Sequence, residues 1–418
     1  MLKVGAFISS VFFSSVSLWT PVACAATDIA LRTAAEKAQP QLIESLREMV
    51  LIESGSADLK GLAQMANLVE ARLKALGFAT ERHKTTTGAG ADIVVGKMQG
   101  QGRKKFMLQA HMDTVYQSGI LSTQGYKVDG NRIYGPGIAD DKGGIAVILH
   151  SLAILKERGW KDFAQITVMF NPDEEVGSVG SGELISQLAD QHDVVLSCEP
   201  TAAKAVAKNE AVLLGASGAT RIDMHVTGKA SHAGAAPDLG RNALVELSHQ
   251  IVQTRDAAKS IPGVQLNWTV SQAGTVRNQI PDKAVASADV RTTLPGAAEK
   301  LQASLQNTVN TQKLIAETDT QVTLLGGRPP YQGGAKAKAL AVTAQAIYQE
   351  LGRQLDIIPM TGGATDAAFA ARSDKAAVIE SFGLAGWGYH AKDEYIEVDS
   401  IVPRLYLMTR MLMELGQQ

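Results

Sequence analysis

Residues 165–197 read QITVMFNPDEEVGSVGSGELISQLADQHDVVLS, and this stretch indicates the fold class. An apolar run over 165–170 predicts a strand, the apolar spacing over 182–190 predicts a helix, and a second apolar run over 193–197 predicts another strand. Strands that alternate with helices are typical of an α/β sheet that carries helices on both faces.

The alternation continues on both sides of this stretch, with one interruption. Helices are predicted over 33–52, 58–76, 144–158 and 335–351 and from 401 onward, and strands over 93–95, 106–108 and 377–380. Between them, predicted elements follow in the order strand, helix, strand, strand, helix, strand, at 220–226, 242–259, 266–272, 284–291, 297–311 and 320–325. This is the order of a ferredoxin-like α+β layer. We therefore predict a mixed-sheet α/β domain over 26–217 and 329–418, interrupted by an inserted domain over 218–328.

Composition excludes some partners. The 418 residues contain 40 Lys and Arg against 42 Asp and Glu, so the net charge is −2. A nucleic-acid partner usually needs a net basic surface, and none is expected here. Hydrophobic residues make up 45% and charged residues 20%, as in globular proteins. No segment after the N-terminus has the ~20 uninterrupted apolar residues of a membrane span.

The N-terminus has the parts of a secretory signal peptide. Lys3 precedes an uncharged run over 4–19, and the small-residue site Ala23-Cys24-Ala25 follows. We predict cleavage after Ala25 and export to the periplasm or the medium. A buried N-terminal helix and a lipoprotein anchored at Cys24 are the alternatives. After cleavage Cys198 is the sole cysteine, which we interpret as a small buried hydrophobe without a disulfide.

Carboxylates and imidazoles cluster where predicted strands end. These are His111 and Asp113, the Asp140-Asp141 pair in a glycine-rich loop, the acidic run 173–175, Glu199, and His390 in the loop 386–390. Residues two apart share a face of a strand, so Asp113 can hydrogen-bond one nitrogen of His111 while the other binds a metal. Helix capping by Asp140 and a solvated acidic turn at 173–175 are the simpler interpretations. Imidazole and oxygen ligands without thiolate favour a hydrolytic zinc pair.

Seven motifs together resemble one family. They are HMDTV at 111–115, GPGIADDKGG at 135–144, NPDEEVGS at 171–178, CEPT at 198–201, KASHAGAAP at 229–237, TGGATDA at 361–367 and GYH at 388–390. In this order they are similar to the di-zinc aminoacylase/carboxypeptidase metallopeptidases, and most of all to the bacterial glutamate carboxypeptidases of the carboxypeptidase G type. The resemblance spans nearly all of the chain after residue 25.

The resemblance implies a role for each matching residue. Asp140 would bridge two Zn²⁺ ions per subunit, with His111 and Glu199 on one ion and Glu175 and His390 on the other. Glu174 would be the general base that takes a proton from the water bridging the metals, so that a metal-bridged hydroxide attacks the amide. Asp113 would orient His111, and the Asp140-Asp141 peptide bond would be cis.

The resemblance also implies residues that would bind the substrate. The family is dimeric through its inserted domain, so His232 of the partner subunit would stabilise the oxyanion of a homodimer. Polar substrate contacts would come from Asn278, Arg291 and Arg328, with Arg328 as the clamp for the α-carboxylate. The segment Thr361, Gly362 and Gly363, placed before a helix predicted over 366–372, would give backbone donors to that carboxylate.

The resemblance predicts a zinc-dependent carboxypeptidase that hydrolyses the amide bond to a C-terminal glutamate of N-acyl or folate-like substrates. An aminoacylase or dipeptidase of the same family is the alternative. A non-catalytic metal-binding protein is a third, which an intact Glu174 argues against. This sequence departs from the family pattern at one position that concerns glutamate recognition. Enzymes of the carboxypeptidase G type have a Lys there that can recognise the glutamate side chain, whereas this sequence has Ala211. Lys208 lies nearby.

Overall fold

A mixed central sheet carries the elements around the proposed site. The computed structural model describes residues 26–87 and 90–418, and the predicted signal peptide lies outside them. The six strands run in the spatial order Ala79–Lys84, Asp92–Gln99, Gln165–Asn171, Lys105–His111, Val194–Ser197 and Ala377–Ile379. The first two pairings are antiparallel and the other three are parallel. The predicted α/β class is confirmed, because strands alternate with helices and the last strand comes from beyond the insertion.

Helices cover this sheet. The α-helices of the described residues are Ile29–Val50, Leu59–Leu76, Lys142–Glu157, Gly182–Ala189, Ala243–Thr254, Ala297–Thr311, Ala335–Glu350, Ala367–Ala370 and Ile401–Gly416. Along Lys142–Glu157 the predicted apolar face is buried, with Ile145, Ile148 and Leu152 at most 4% exposed. Such side chains each contribute about 1.5–3 kcal/mol when fully buried. None of the helices in the described ranges is both long and apolar enough to cross a membrane.

A second, antiparallel sheet is built from the middle of the chain. Its strands run in the order Val264–Ala273, Lys283–Thr292, Gly218–Thr227 and Asp319–Arg328. Residues of the helices Ala243–Thr254 and Ala297–Thr311, among them Leu247 and Leu301, form a core of their own with this sheet. The predicted ferredoxin-like order of elements is therefore present, while the domain boundaries stay a prediction.

The remaining strands of the described residues are short and form smaller sheets. A five-stranded sheet has the order Lys127–Asp129, Arg132–Tyr134, Tyr395–Glu397, Ala385–Trp387 and Thr201–Ala202. Three two-stranded pairs are Gly215–Ala216 with Tyr331–Gln332, Ser231–His232 with Gln279–Ile280, and Glu210–Leu213 with Leu355–Ile358. Within the five-stranded sheet the strand Ala385–Trp387 ends at Trp387, and the loop that carries His390 follows it.

Two helix predictions differ from the structure in extent. The helix predicted over 242–259 ends at Thr254, and a separate 3-10 turn, Ala257–Ser260, follows after Asp256. The helix predicted over 366–372 is the single turn Ala367–Ala370. Cys198 is fully buried and free, so its interpretation as a core residue is confirmed.

Candidate metal centre and active site

Parallel strands bring the first group of donors together. Lys105–His111 and Val194–Ser197 are parallel neighbours, so His111 and Glu199 lie at the same carboxyl edge of the sheet, where α/β folds bind ligands. The Nε2 atom of His111 is 3.0 Å from Oδ1 of Asp140 and 3.7 Å from Oε1 of Glu199. These three side chains can hold one metal ion.

A second group of donors uses the other oxygen of the same aspartate. The Nε2 atom of His390 is 3.5 Å from Oδ2 of Asp140 and 3.2 Å from Oε2 of Glu175. Within each group the ligand atoms lie within 4.8 Å of one another. The structure therefore brings together all five predicted ligands, with Asp140 shared between the groups. Their roles as metal ligands stay predictions.

The adjacent residues Asp140 and Asp141 have different structural roles. Asp141 is the N-cap of the helix that begins at Lys142, because its Oδ1 accepts the N–H of Gly144 at 3.1 Å. The capping role considered for Asp140 thus belongs to Asp141, and Asp140 faces the histidines. The peptide bond between them is cis, as predicted. Gly144 is required here, since a Cβ would lie 2.2 Å from Oδ1 of Asp141 and 2.3 Å from the carbonyl oxygen of Cys198.

Asp113 organises both sides of the site. The Nδ1 atom of His111 lies 3.0 Å from the carbonyl oxygen of Asp113 and 3.3 Å from its Oδ1. Both neighbours are acceptors, so Nδ1 carries a proton. Nε2 also faces acceptors, the carboxylates of Asp140 and Glu199, and donates to them without a metal, whereas a bound cation would take its lone pair instead. The same carboxylate accepts the backbone N–H groups of Glu174 and Glu175, at 3.0 and 3.1 Å. Asp113 therefore fixes the backbone of the acidic run as well as the imidazole.

Glu394 is a positioning residue that sequence reasoning missed. It is fully buried, and its carboxylate accepts the N–H groups of Gly137, Ala139 and Asp140 at 2.8–3.0 Å. The Tyr116 hydroxyl also donates to it, at 2.8 Å. These bonds hold the glycine-rich loop so that Asp140 faces the histidines. In the sequence, the only local indication of a role for Glu394 is that an acidic residue lies four positions after His390.

We expect Glu394→Gln to weaken metal binding without removing a ligand. An amide has one acceptor oxygen where the carboxylate has two, so at least one loop N–H loses its partner. Loss of such supporting contacts typically costs about 10–100-fold in metal affinity. Competition with a fluorescent zinc chelator measures it, and Glu414→Gln, at a side chain that is 37% exposed, is the control. Unchanged affinity in Glu394→Gln would contradict this role.

Glu174 lies beside the ligands and is not one of them. Nη1 of Arg328 is 2.7 Å from Oε1 of Glu174, and Nη2 donates to its carbonyl oxygen at 2.5 Å. Burial raises the pKa of Glu174 to about 8, although the charge of Arg328 opposes this. Cations held by the adjoining donor groups would lower this pKa, so that the carboxylate form is available as the general base.

The electrostatics of the cluster fit divalent cations. Burial, followed by the neighbouring Asp140 and Glu174 carboxylates, raises the pKa of Glu199 well above its ordinary value. Hydrogen bonds to Asp140 and Glu175 raise the pKa of His390 to about 10. Closely spaced carboxylates thus bind protons, which offset their negative charge, and a metal cation offsets that charge in the same way. Two imidazoles and two carboxylates around one shared carboxylate suit a pair of ions such as zinc.

Four of the five donors, all except His111, line a cavity of about 510 Å³, and some of the predicted substrate contacts also line it. Arg291, Arg328, Thr361 and Gly363 line it, whereas Gly362 does not. The backbone N–H of Thr361 already donates to the carbonyl oxygen of Gly215 at 3.0 Å. That donor is therefore used within the fold, and the following helix begins only at Ala367. Binding of the α-carboxylate by this segment stays a prediction.

His232 and Asn278 lie away from this cavity. His232 is exposed on the short strand Ser231–His232, and its Nδ1 accepts the N–H groups of Gly234 and Ala235 at 3.1 and 3.0 Å. The carbonyl oxygen of Asn278 accepts the N–H of Ala233 at 2.9 Å, so the two predicted residues are close to each other. The prediction that His232 acts across a dimer stays a prediction.

The chain is similar in sequence to known proteins. The chain is 46% identical to carboxypeptidase G2 of Pseudomonas sp. (strain RS-16) over 390 residues, which are 93% of this chain and 92% of that protein. Over 73 residues, 17% of each chain, it is 44% identical to a p-aminobenzoyl-glutamate hydrolase homolog of Haemophilus influenzae.

The fold is also that of solved structures. An M20 family metallo-carboxypeptidase from Sulfolobus solfataricus matches with a TM-score of 0.72 at 17% identity, covering 90% of this chain and all of that one. The sequence profile of Peptidase family M20/M25/M40 matches residues 107–414, a range that holds every proposed metal ligand. The chain belongs to Peptidase family M20/M25/M40.

Proposed function

We propose that the protein is a metallo-exopeptidase with two zinc ions, which removes a C-terminal glutamate from N-acyl or folate-like substrates. The observation that carries the proposal is the pair of donor groups sharing Asp140, with the buried Glu174 beside them. Similarity to carboxypeptidase G2 over 93% of the chain supports the carboxypeptidase activity, and the name of the Haemophilus protein supports glutamate.

The residues of the site have separate roles in the hydrolysis of the amide bond. Divalent ions held by the five ligands would polarise the scissile carbonyl and lower the pKa of the attacking water. Glu174 accepts a proton from that water and delivers it to the leaving amine. Asp113 keeps Glu174 in place through the backbone N–H at 3.0 Å. Arg328 now contacts Glu174 through both terminal nitrogens, so a role as carboxylate clamp requires it to share those contacts with substrate.

Glutamate carries two carboxylates, and the cavity offers two arginines. Lys208 is exposed and Ala211 is buried within Glu210–Leu213, and neither lines the cavity. Among the described lining residues Arg291 and Arg328 are the two arginines, and lysine is absent. We therefore assign recognition of the α- and γ-carboxylates to this arginine pair.

Two further properties belong to the proposal. We propose export by cleavage of residues 1–25, on the basic, apolar and small-residue pattern of that segment. We also propose a homodimer in which His232 of the partner subunit completes the site. In support, His232 of the same chain lies outside the cavity and keeps its Nε2 free of hydrogen bonds within the described residues.

Comparison of C-terminal residues tests the substrate. We expect kcat/KM to be at least about tenfold higher for N-benzoyl-glutamate than for N-benzoyl-glutamine or N-benzoyl-methionine, because the neutral side chains leave an arginine unpaired. Glutamine is the matched control, since it differs from glutamate only in charge and hydrogen bonding. A preference for neutral residues would favour the aminoacylase or dipeptidase alternative.

A further inference from the structure

Glu380 is a fully buried carboxylate that the proposed mechanism does not use. It follows the strand Ala377–Ile379, which is the parallel neighbour of Val194–Ser197 in the central sheet. Glu199 follows Val194–Ser197 after Cys198, and the carboxyl ends of parallel strands meet at one edge of a sheet. Glu380 therefore lies beside a proposed metal ligand, although the two residues are 181 positions apart in the chain.

Both oxygens of the Glu380 carboxylate accept hydrogen bonds from the protein. Oε1 accepts the backbone N–H of Glu199 at 3.0 Å and that of Ser381 at 2.7 Å. Oε2 accepts the hydroxyl of Thr365 at 2.8 Å. Hydrogen bonds to an ionised carboxylate are about twice as strong as those between neutral groups. Because Glu380 belongs to neither group of metal donors, its contacts hold the backbone of Glu199 and bind no ion.

The segment that follows Glu380 holds the other side of the Glu199 backbone. The N–H of Gly383 donates to the carbonyl oxygen of Glu199 at 3.1 Å. A Cβ at Gly383 would lie 2.3 Å from the carbonyl oxygen of Cys198 and 2.9 Å from that of Glu199, so this close approach requires glycine. Both the N–H and the carbonyl group of the ligand Glu199 are thus bonded to residues 380–383.

This segment is itself held in an uncommon conformation. Ser381 has a φ of 71°, in the left-handed region that few residues other than glycine adopt. Its N–H donates to Glu380, and its carbonyl oxygen accepts Nη1 of Arg404 at 2.8 Å. Arg404 is fully buried and also contacts Oε2 of Glu210 through its Nε, at 2.7 Å. Such a conformation persists only where the surroundings fix it, and it is found most often at functional sites.

All three carboxylate ligands of the proposed metal centre have this kind of support. The backbone N–H of each ligand donates to a fully buried carboxylate that is not a ligand: Glu175 to Asp113 at 3.1 Å, Asp140 to Glu394 at 3.0 Å and Glu199 to Glu380 at 3.0 Å. Asp140 belongs to both donor groups, whereas Glu199 belongs to only one of them. The supporting carboxylates should therefore differ in the number of ions that they affect.

We propose that Glu380 is a positioning residue for one ion of the pair. Through the backbone of Glu199 it sets the affinity of the ion that His111, Asp140 and Glu199 hold, and it leaves the other ion unaffected. This inference rests on the proposed function, since the zinc pair is part of that function. Supporting contacts of this kind are typically worth about 10–100-fold in metal affinity.

Glu380→Asp tests the proposal, because it keeps the charge and withdraws the carboxylate by about 1.5 Å, the length of one C–C bond. The shorter side chain cannot contact both Glu199 and Thr365. Zinc affinity is measured by chelator competition in the wild-type and Glu199→Ala backgrounds. In the first, we expect one ion to bind about tenfold more weakly and the other to be unchanged. In the second, the side chain through which Glu380 acts is gone, so the remaining ion should bind equally well with either residue at position 380.

A second variant and a control complete the experiment. Glu380→Met removes both acceptor oxygens and should weaken the same ion about 10–100-fold, which keeps the test available if the aspartate variant does not fold. Glu44→Asp is the matched control, since the side chain of Glu44 is 68% exposed at the surface. Thermal denaturation establishes that each variant is folded.

The possible results separate this inference from the proposed function. Equal weakening of both ions, or an equal loss in the Glu199→Ala background, overturns the inference, since the effect would then be one of charge or of general structure. Zinc affinity within twofold of wild type for both ions in the folded Glu380 variants also overturns it. If the wild type binds no zinc, the proposed metal centre fails, and the inference fails with it.

Discussion

Glu174→Gln is expected to lower kcat about 10³-fold and to leave the metal content unchanged. The side chain is 7% exposed and sits outside both donor groups, so its loss removes no ligand. Glutamine has nearly the same shape and keeps an oxygen for Arg328, which preserves the local packing. It cannot accept the proton of the attacking water, and the leaving amine then has no acid. Steady-state kinetics and metal analysis by mass spectrometry of the same preparations measure both quantities.

Glu183→Gln is the control for this substitution. Its side chain is 67% exposed on the helix that follows the acidic run, and its partner Arg372 is 43% exposed. A surface pair of this kind contributes little, so turnover should match that of wild type. Activity of Glu174→Gln within tenfold of wild type would refute its role as the base. A fall in metal content together with activity would instead make Glu174 a ligand.

Removal of metal is expected to abolish hydrolysis, and added zinc should restore it. Both donor groups depend on Asp140, which contacts His111 through Oδ1 and His390 through Oδ2. Dialysis against a chelator should lower kcat/KM at least about 10³-fold, since no other group among the described residues of the site polarises the carbonyl. In Asp140→Asn the same loss should persist after zinc is added back, because neither ion keeps its shared ligand.

Asp129→Asn is the matched control for the aspartate. Its side chain is 60% exposed and pairs with Lys127 at the surface, so chelation and zinc should act on this variant as on wild type. Hydrolysis that survives thorough chelation would rule out the metal mechanism. Metal analysis of the restored wild type gives the stoichiometry, for which the two donor groups predict two ions in each protomer.

Local sequence indicated three of the five proposed ligands, because each of the three ends a strand or follows one closely. His111 ends a strand, Glu199 follows a strand after Cys198, and Glu175 lies just beyond Asn171. Strands and their ends can be inferred from apolar runs, and parallel strands present their carboxyl ends at one edge. Recognition of the family motifs then supplied which carboxylate serves which ion.

The substrate residues were harder to predict, since their environment depends on remote contacts. Arg328 lines the cavity, as a carboxylate clamp requires, but its contact with Glu174, which is 154 residues away in the chain, could not be inferred from the sequence. The N–H of Thr361 was expected to be free, and the carbonyl oxygen of Gly215 uses it. A donor can be counted from sequence, but whether it is free follows only from packing.

The sequence by itself determined the α/β class and the element order of the inserted layer, and its family motifs gave the five proposed metal ligands. Periodicity is a local property and is sufficient for the first two conclusions, whereas the ligand set rests on the resemblance of the motifs to the family. Only the tertiary structure assigned the helix cap to Asp141 and brought the Glu394 carboxylate to the backbone N–H groups of the Asp140 loop. Glu394 and Asp140 are 254 residues apart, and no local pattern encodes a contact over that distance.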